Sequence, residues 1–278
     1  MQEFEYGAEG KGSSAMRRSF GLALSDIKNG IKSVPIWSVL GWQDIKQRYR
    51  RSVLGPFWLT ISTAIMVAAL GVLYANLLGQ EVESFIPHVG AGLIVWTFLS
   101  TLILESAFVF TTSEGMIKQI RMPLTVHVCR MVWRNVMIFA HNAVILLCLL
   151  YVIPEIHIID LLTIPLAVFL IALNGLWIGL VVGVTCTRFR DVSQILINLV
   201  QVLFFVTPIF WKPELLVDRG WIAEYNPAYH FIELVRSPLV GGGIPEHSWV
   251  ITGLITLGGF VVAIGVLAKY RSRVAYWL

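Results

Sequence analysis

Residues 42–58 read W-Q-D-I-K-Q-R-Y-R-R-S-V-L-G-P-F-W, and the apolar run that follows, through Leu78, carries no charged side chain. Lys46, Arg48, Arg50 and Arg51 crowd the edge of that run. Positive charge gathers at the cytoplasmic margin of membrane segments, so this stretch orients the chain as well as opening its first span. Trp42, Ile45 and Tyr49 recur at three- and four-residue spacing, which a helix gathers on one face. The expectation is an amphipathic helix lying aromatic side down on the inner membrane surface, before Gly55-Pro56 turns the chain into the bilayer.

Composition extends that reading. The 278 residues are 56% hydrophobic and 14% charged, against about 25% charged in soluble domains. One large water-soluble core is thereby excluded. A sequence pI near 9.0 does not point to nucleic acid, because the basic residues sit beside apolar runs rather than across a polar domain. Cys129, Cys148 and Cys186 have no metal-like spacing, and a disulfide framework is not expected. The first apolar run starts too late for a cleavable signal peptide.

Six apolar stretches follow one another: Phe57–Leu78, Val89–Thr112, Asn135–Ile153, Leu161–Thr185, Val192–Trp211 and Trp249–Ala268. Each is close to the roughly 20 residues a helix needs to cross about 30 Å of hydrocarbon. Lipid offers no partners to backbone amides, so open sheets are ruled out and helices are required. The expected fold is an all-α polytopic membrane protein with six transmembrane helices, an N-terminal amphipathic interface helix, short outer helices before the last span, and both termini cytoplasmic. Residues 1–35, polar and glycine-rich, read as a mobile cytoplasmic N-terminal tail with a short helix near Phe20 to Ile31. Residues 36–278 form the membrane domain.

Charge asymmetry supports this topology. With the N-terminus inside, cytoplasmic segments hold nine Lys/Arg up to Arg51, four between Lys118 and Arg134, two at Arg188 and Arg190, and three from Lys269 to Arg273. Only Lys212, Arg219 and Arg236 fall outside, which is the bias of the positive-inside rule. The outer segment Lys212–Ser248 is too interrupted by Pro227, Pro238 and Gly241-Gly242-Gly243 to span, and reads as short helices dipping into the outer interface. On the inner side, G-M-I-K-Q-I-R-M at 115–122 can form about two helical turns before Pro123 ends them.

No reactive constellation is visible. The six histidines are scattered, no metal site or catalytic residue is expected, and Gly10-Lys11 lacks the rest of a P-loop. Glu105 is the acid well inside an apolar stretch. It reads either as protonated or paired with a polar group such as His141 or Asn142, or as taking part directly in transport. Gly175, Gly179 and Gly183 line one stripe that lets a neighbouring helix approach, within the subunit or across a dimer. Phe204, Phe205, Phe210 and Trp211 concentrate near the outer end of the fifth stretch, where they read as an interfacial belt or as a channel lining that stacks on sugar rings. The basic surface around Met116–Arg121 and Trp42–Arg51 suits either a soluble partner or anionic lipid.

Beyond composition, the segment at 42–58 resembles the N-terminal signature of permease subunits of ABC-type polysaccharide exporters, D-[IL]-K-x-R-Y-[RK]-x-S-x-L-G-x-x-W. The likeness continues through G-L-I-V-W at Gly92–Trp96, T-P-I-F-W at Thr207–Trp211 and N-P at Asn226-Pro227. The resemblance implies the membrane-spanning subunit of an exporter of lipid-linked O-antigen, capsular polysaccharide or teichoic acid, in the bacterial inner membrane. It implies a homodimer with two copies of a separate ATP-binding cassette subunit that holds ATP and Mg, while this chain binds no cofactor. The ATPase-subunit interface would comprise Trp42, Lys46, Arg48, Tyr49, Arg50, Arg51, Glu114, Met116, Lys118 and Arg121, with 114–122 as the coupling helix. Tyr74, Phe205, Phe210 and Trp211 would line the channel. Two other readings stand beside this one: a permease of the same architecture for drugs or small lipids, and a membrane-embedded acyltransferase.

Overall fold

A computed structural model of the chain describes residues 3–50, 55, 57–150, 158–213 and 220–278, with side chains from Met16 onward. Arg51, Pro56, most of the loop expected at 154–160 and positions 214–219 of the expected outer segment lie outside the described residues.

Every regular element among the described residues is helical. Five helices are long and apolar enough to cross a membrane: α3 (Phe57–Leu78), α4 (Val82–Ser106), α6 (Leu124–Leu150), α8 (Thr163–Arg188) and α12 (Glu246–Trp277). The remaining helices are the long but polar α1 (Glu3–Lys32) and the shorter α2 (Val34–Arg48), α5 (Glu114–Gln119), α7 (Ile158–Leu161), α9 (Asp191–Val206), α10 (Trp221–Glu224) and α11 (Pro227–Leu239). Several spanning helices outrun their apolar stretches. α6 begins at Leu124 rather than Asn135, and α12 continues to Trp277. Arg130 and Arg134 in the added part of α6 and Arg271 near the end of α12 pair with carboxylates, so polarity there does not stop the helix.

The fifth apolar stretch behaves differently. Only Asp191–Val206 is helical, 16 residues, which makes it about 24 Å long and short of the roughly 30 Å of hydrocarbon. Pro208 cannot donate a backbone hydrogen bond, and the chain bends through 207–211 instead of continuing the helix. The bend is held from outside: the Asn226 side-chain amide donates to Thr207 Oγ1 at 2.9 Å, and Asn226 Oδ1 accepts from Ala228 N at 3.0 Å. Asn226 is therefore the N-cap of α11 and Pro227 its first residue, the pairing that starts helices most readily. This gives the N-P dipeptide its structural meaning.

The N-terminal residues also depart from expectation. In place of a mobile tail with one short helix, 3–32 form a single helix whose C-terminal half packs on α6 and α12. Ala23, Asp26 and Gly30 recur at three- and four-residue spacing and are its buried face. Gly55 at the α2–α3 turn has φ 56°, a left-handed conformation that glycine adopts at no steric cost.

α4 is the hub. It packs on α3, α6, α8 and α11, and Phe85, Val89, Ile94, Val95 and Leu102 on it are fully or almost fully buried. α3 is peripheral, burying only Val67, Gly71 and Ala75, and Ile195, Leu199, Val202 and Phe205 of α9 are exposed. Apolar side chains left bare on helices of this length suit hydrocarbon rather than water.

Candidate functional site

At the end of the bundle that carries α5, a charged network ties α2 to two spanning helices. Asp44 of α2 accepts from Arg130 Nε at 2.8 Å and Nη2 at 2.5 Å, and from Arg134 Nη1 at 2.9 Å. Arg134 reaches on to Glu105 Oε2 at 2.5 Å, and Asn135 Nδ2 donates to the same oxygen at 2.6 Å. Arg48 Nη2 lies 3.7 Å from Glu105 Oε1. Helix periodicity makes this possible, because Asp44 and Arg48 sit four apart on α2 and Arg130 and Arg134 four apart on α6. Close packing completes it: a Cβ on Gly41 would lie 3.0 Å from the Trp133 ring and 3.2 Å from the Arg130 carbonyl oxygen.

Burial opposes charge on Asp44, yet the two arginines outweigh it and hold its carboxyl below the usual carboxylate range. Guanidinium–carboxylate pairs of this bidentate kind fix geometry as well as adding energy. The network borders a cavity of about 840 Å³ lined by Asp44, Arg48, Glu105, His127, Arg130 and Arg134. Glu105 is thus paired with Arg134, Asn135 and Arg48, not with His141 or Asn142. His141 instead contacts the Met137 carbonyl oxygen through Nδ1 at 2.7 Å.

The residues expected at a partner surface fall into two groups at this end. On α2, Ile45 and Gly41 turn inward onto α6, while Trp42 is 48% exposed with Lys46 Nζ 5.8 Å above its ring. The aromatic and aliphatic members of the expected single face are therefore split. Tyr49 is half-buried, and burial pushes its hydroxyl pKa up; Arg50 is exposed. The second group is α5 and its flank. Lys118 Nζ pairs with Glu114 Oε1 at 2.6 Å one turn away, which holds that carboxyl below its ordinary range. Met116 is half-buried, and Arg121 is exposed beyond the helix end.

Toward the opposite end, the aromatic residues are drawn together from three helices. Tyr74 of α3 stacks on Phe210 with centroids 5.0 Å apart. Phe204 of α9 meets Phe210 edge-on at 5.3 Å and Trp96 of α4 at 5.6 Å. Phe205 touches Phe204 but points outward, 67% exposed. Trp211 is half-buried beside Phe210. Nearby, Arg236 of α11 is 1% exposed. It holds Glu233, the Pro208 carbonyl oxygen at 2.5 Å and His88 Nε2 at 3.2 Å, so α11 is pinned to both α4 and the bend after α9.

The glycine stripe of α8 faces inward. A Cβ would approach Leu102 at 2.9 Å from Gly175, Val128 at 2.4 Å from Gly179 and Val109 at 2.6 Å from Gly183, so all three glycines abut residues of this same chain on and beside α4 and α6. Sequence reasoning missed Asp44, Arg130, Arg134 and Asn135 as one unit. The available signal was the pair of arginines four apart at the head of an apolar segment, a placement too costly to leave unpartnered.

Residues 36–240 match the family model of the ABC-2 type transporter. Among curated proteins, the chain is 22% identical over 188 residues to the O-antigen export system permease protein RfbA of Myxococcus xanthus, covering 66% of this chain and 72% of that one. It is 21% identical over 243 residues to the protein of the same description from Klebsiella pneumoniae, covering 84% and 91%.

Proposed function

Because the chain belongs to the ABC-2 type transporter family, we propose that it is the membrane-spanning subunit of an ATP-driven exporter that carries a lipid-linked polysaccharide of O-antigen, capsule or teichoic-acid type across the bacterial inner membrane. Both similar permeases are described as O-antigen export proteins. In this reading the chain acts as a homodimer with two copies of an ATP-binding cassette subunit. ATP and Mg²⁺ belong to that partner, since no P-loop occurs in this sequence. The α5 end is cytoplasmic, both termini lie there, and α9 with the bend after it makes the sixth crossing. Residues 36–278 are then one membrane domain, preceded by a cytoplasmic N-terminal segment.

The observation that carries the proposal is the Asp44–Arg130–Arg134–Glu105 network, which joins α2 to α4 and α6 beside α5. A force applied by a soluble partner to Trp42, Lys46, Arg48, Tyr49, Arg50 and Arg51, or to Glu114, Met116, Lys118 and Arg121, would pass into spanning helices rather than dissipate in loops. Nucleotide-dependent differences in partner contact would bias the arrangement. The aromatic cluster at the far end offers ring faces to the C–H faces of sugars, with Tyr74, Phe205, Phe210 and Trp211 assigned to the translocation path. A polar glycan cannot dissolve in hydrocarbon, so it requires such a protein-lined path.

Deleting the gene tests the proposal. Surface polysaccharide should disappear while lipid-linked polymer accumulates inside the cell, and affinity-tagged protein should retain an ATPase bearing a P-loop. Normal surface glycan together with recovery of the tagged chain free of any ATPase would overturn it.

A further inference from the structure

Asp26 of α1 is buried in a helix otherwise rich in exposed polar residues, and its side chain has no access to solvent. Four donors converge on its carboxylate. Oδ1 accepts from Thr125 N at 3.1 Å and Thr125 Oγ1 at 2.8 Å. Oδ2 accepts from Leu124 N at 3.2 Å and Arg271 Nε at 2.7 Å. Leu124 and Thr125 are the first two residues of α6, so their amides have no acceptor within the helix. The residue before them is Pro123, which carries no side-chain oxygen to cap them. The cap comes instead from a helix 98 residues earlier, as a full negative charge at the positive end of the α6 dipole.

Close packing keeps α1 in that position. A Cβ on Gly30 would fall 2.4 Å from Thr125 Cβ, so α1 lies against α6 more closely than a larger residue would allow. Arg271 extends the tie to α12, and α5 packs on α12 as well. Between the end of α5 at Gln119 and the start of α6 at Leu124 lie only residues 120–123. The place of α6's first turn therefore limits where α5 can sit.

We propose that α1 is a brace for the coupling segment, and that Asp26 is its positioning residue: by capping α6 and holding Arg271, it fixes α5 relative to the ends of α6 and α12. This rests on the reading of α5 as the segment that meets the ATP-binding subunit. When the brace is lost, α5 is still present and still meets the partner, but its displacement is no longer passed on fully to α6 and α12.

Two measurements separate the brace from the function it serves. In the permease alone, with Cys129, Cys148 and Cys186 replaced by alanine, spin labels on Leu22→Cys and Gly115→Cys report the α1–α5 distance without any partner. A narrow distribution is expected with Asp26 intact, broadening with Asp26→Ala and with the milder Asp26→Asn. An unchanged distribution in both overturns the brace whatever the transporter carries. In the reconstituted complex, Asp26→Ala should lower substrate moved per ATP hydrolysed about fivefold, the equilibrium weight of one lost N-cap, with complex yield and ATP hydrolysis retained. Arg271→Gln, which leaves the cap in place, should have a smaller effect. If yield, hydrolysis and transport fall in proportion, Asp26 serves folding alone and the proposal fails. Absence of ATP-linked transport in the unmodified complex would count against the proposed function, and the label distances would still decide the brace.

Discussion

Arg134 is shared between two carboxylates, so removing it strands both in unequal ways. Asp44 would keep its bidentate pair with Arg130, but Glu105 would keep only the Asn135 amide and the longer approach of Arg48. Breaking a deeply buried pair costs about 3–5 kcal/mol, and this one is about one-fifth exposed on each side, so screening reduces the loss. Arg134→Ala is expected to destabilise the protein by about 1–3 kcal/mol, read as a lower Tm in detergent. Glu105→Gln in the same chain should recover part of it, because the stranded charge is gone; additive losses in the double variant would show that the two residues do not interact. Asp44 makes a prediction in pH. Its carboxyl titrates below the ordinary carboxylate range because Arg130 and Arg134 outweigh its burial, so the stability it contributes is present above that range and lost as pH falls through the lower folded-state value. Amide exchange along 34–48 should stay slow at pH 5 and accelerate only below the ordinary carboxylate range, while Asp44→Asn should exchange faster throughout. Early release near pH 5 would mean that the arginines do not hold the acid as the distances indicate.

Helices report their packing through the residues they leave small. Gly179 of α8 meets the stiff, β-branched Val128, whereas a Cβ on Gly265 of α12 would meet nothing within 4 Å. Gly179→Ala is therefore expected to cost about 1–3 kcal/mol through overpacking. Gly265→Ala should be neutral or slightly stabilising, since alanine favours a helix interior by about 1 kcal/mol over glycine. Thermal melts of both variants in one detergent check the contrast, and equal shifts would sink it. The same scale shows how much the sequence discloses. The apolar lengths of α3, α4, α6, α8 and α12 were legible, because hydrocarbon demands them. The premature end of α9 was not, since it depends on Asn226 grasping Thr207 from 19 residues away. Nor was α1, whose polar, glycine-containing sequence suggests a tail until Asp26 finds Leu124, Thr125 and Arg271. The clustering of Tyr74 with Phe204 and Phe210 likewise depends on the bend after α9, which Pro208 permits but Asn226 holds from a distance. Long-range side-chain contacts decided each of these cases.

Across the whole molecule, the two ends have separate chemistry joined by one helix. α4 carries Glu105 in the charged network and His88 beside Arg236, 17 residues and about 25 Å apart along the axis. Being buried on nearly all sides, α4 has little room to flex, and displacement at one end should reach the other as a rigid shift. If so, lesions at the ends should fail differently. Arg48→Ala, at the charged end, combined with Arg51→Ala should weaken recovery of the ATP-binding subunit or uncouple its hydrolysis from export, with membrane insertion intact. Phe210→Ala, at the far end, removes the ring that both Tyr74 and Phe204 contact; it should leave partner recovery unchanged and lower export. Reconstituted vesicles allow insertion, partner yield, ATP hydrolysis and export of the proposed lipid-linked glycan to be measured on the same preparation. Loss of partner binding in Phe210→Ala, or full export in the double arginine variant, would contradict a division of labour between the ends. The stronger outcome is a third variant, Glu105→Gln with Arg134→Gln. It keeps both surfaces but removes the charged link between α4 and α6, and it should bind the partner, hydrolyse ATP and export poorly, because the path between the ends is what it lacks.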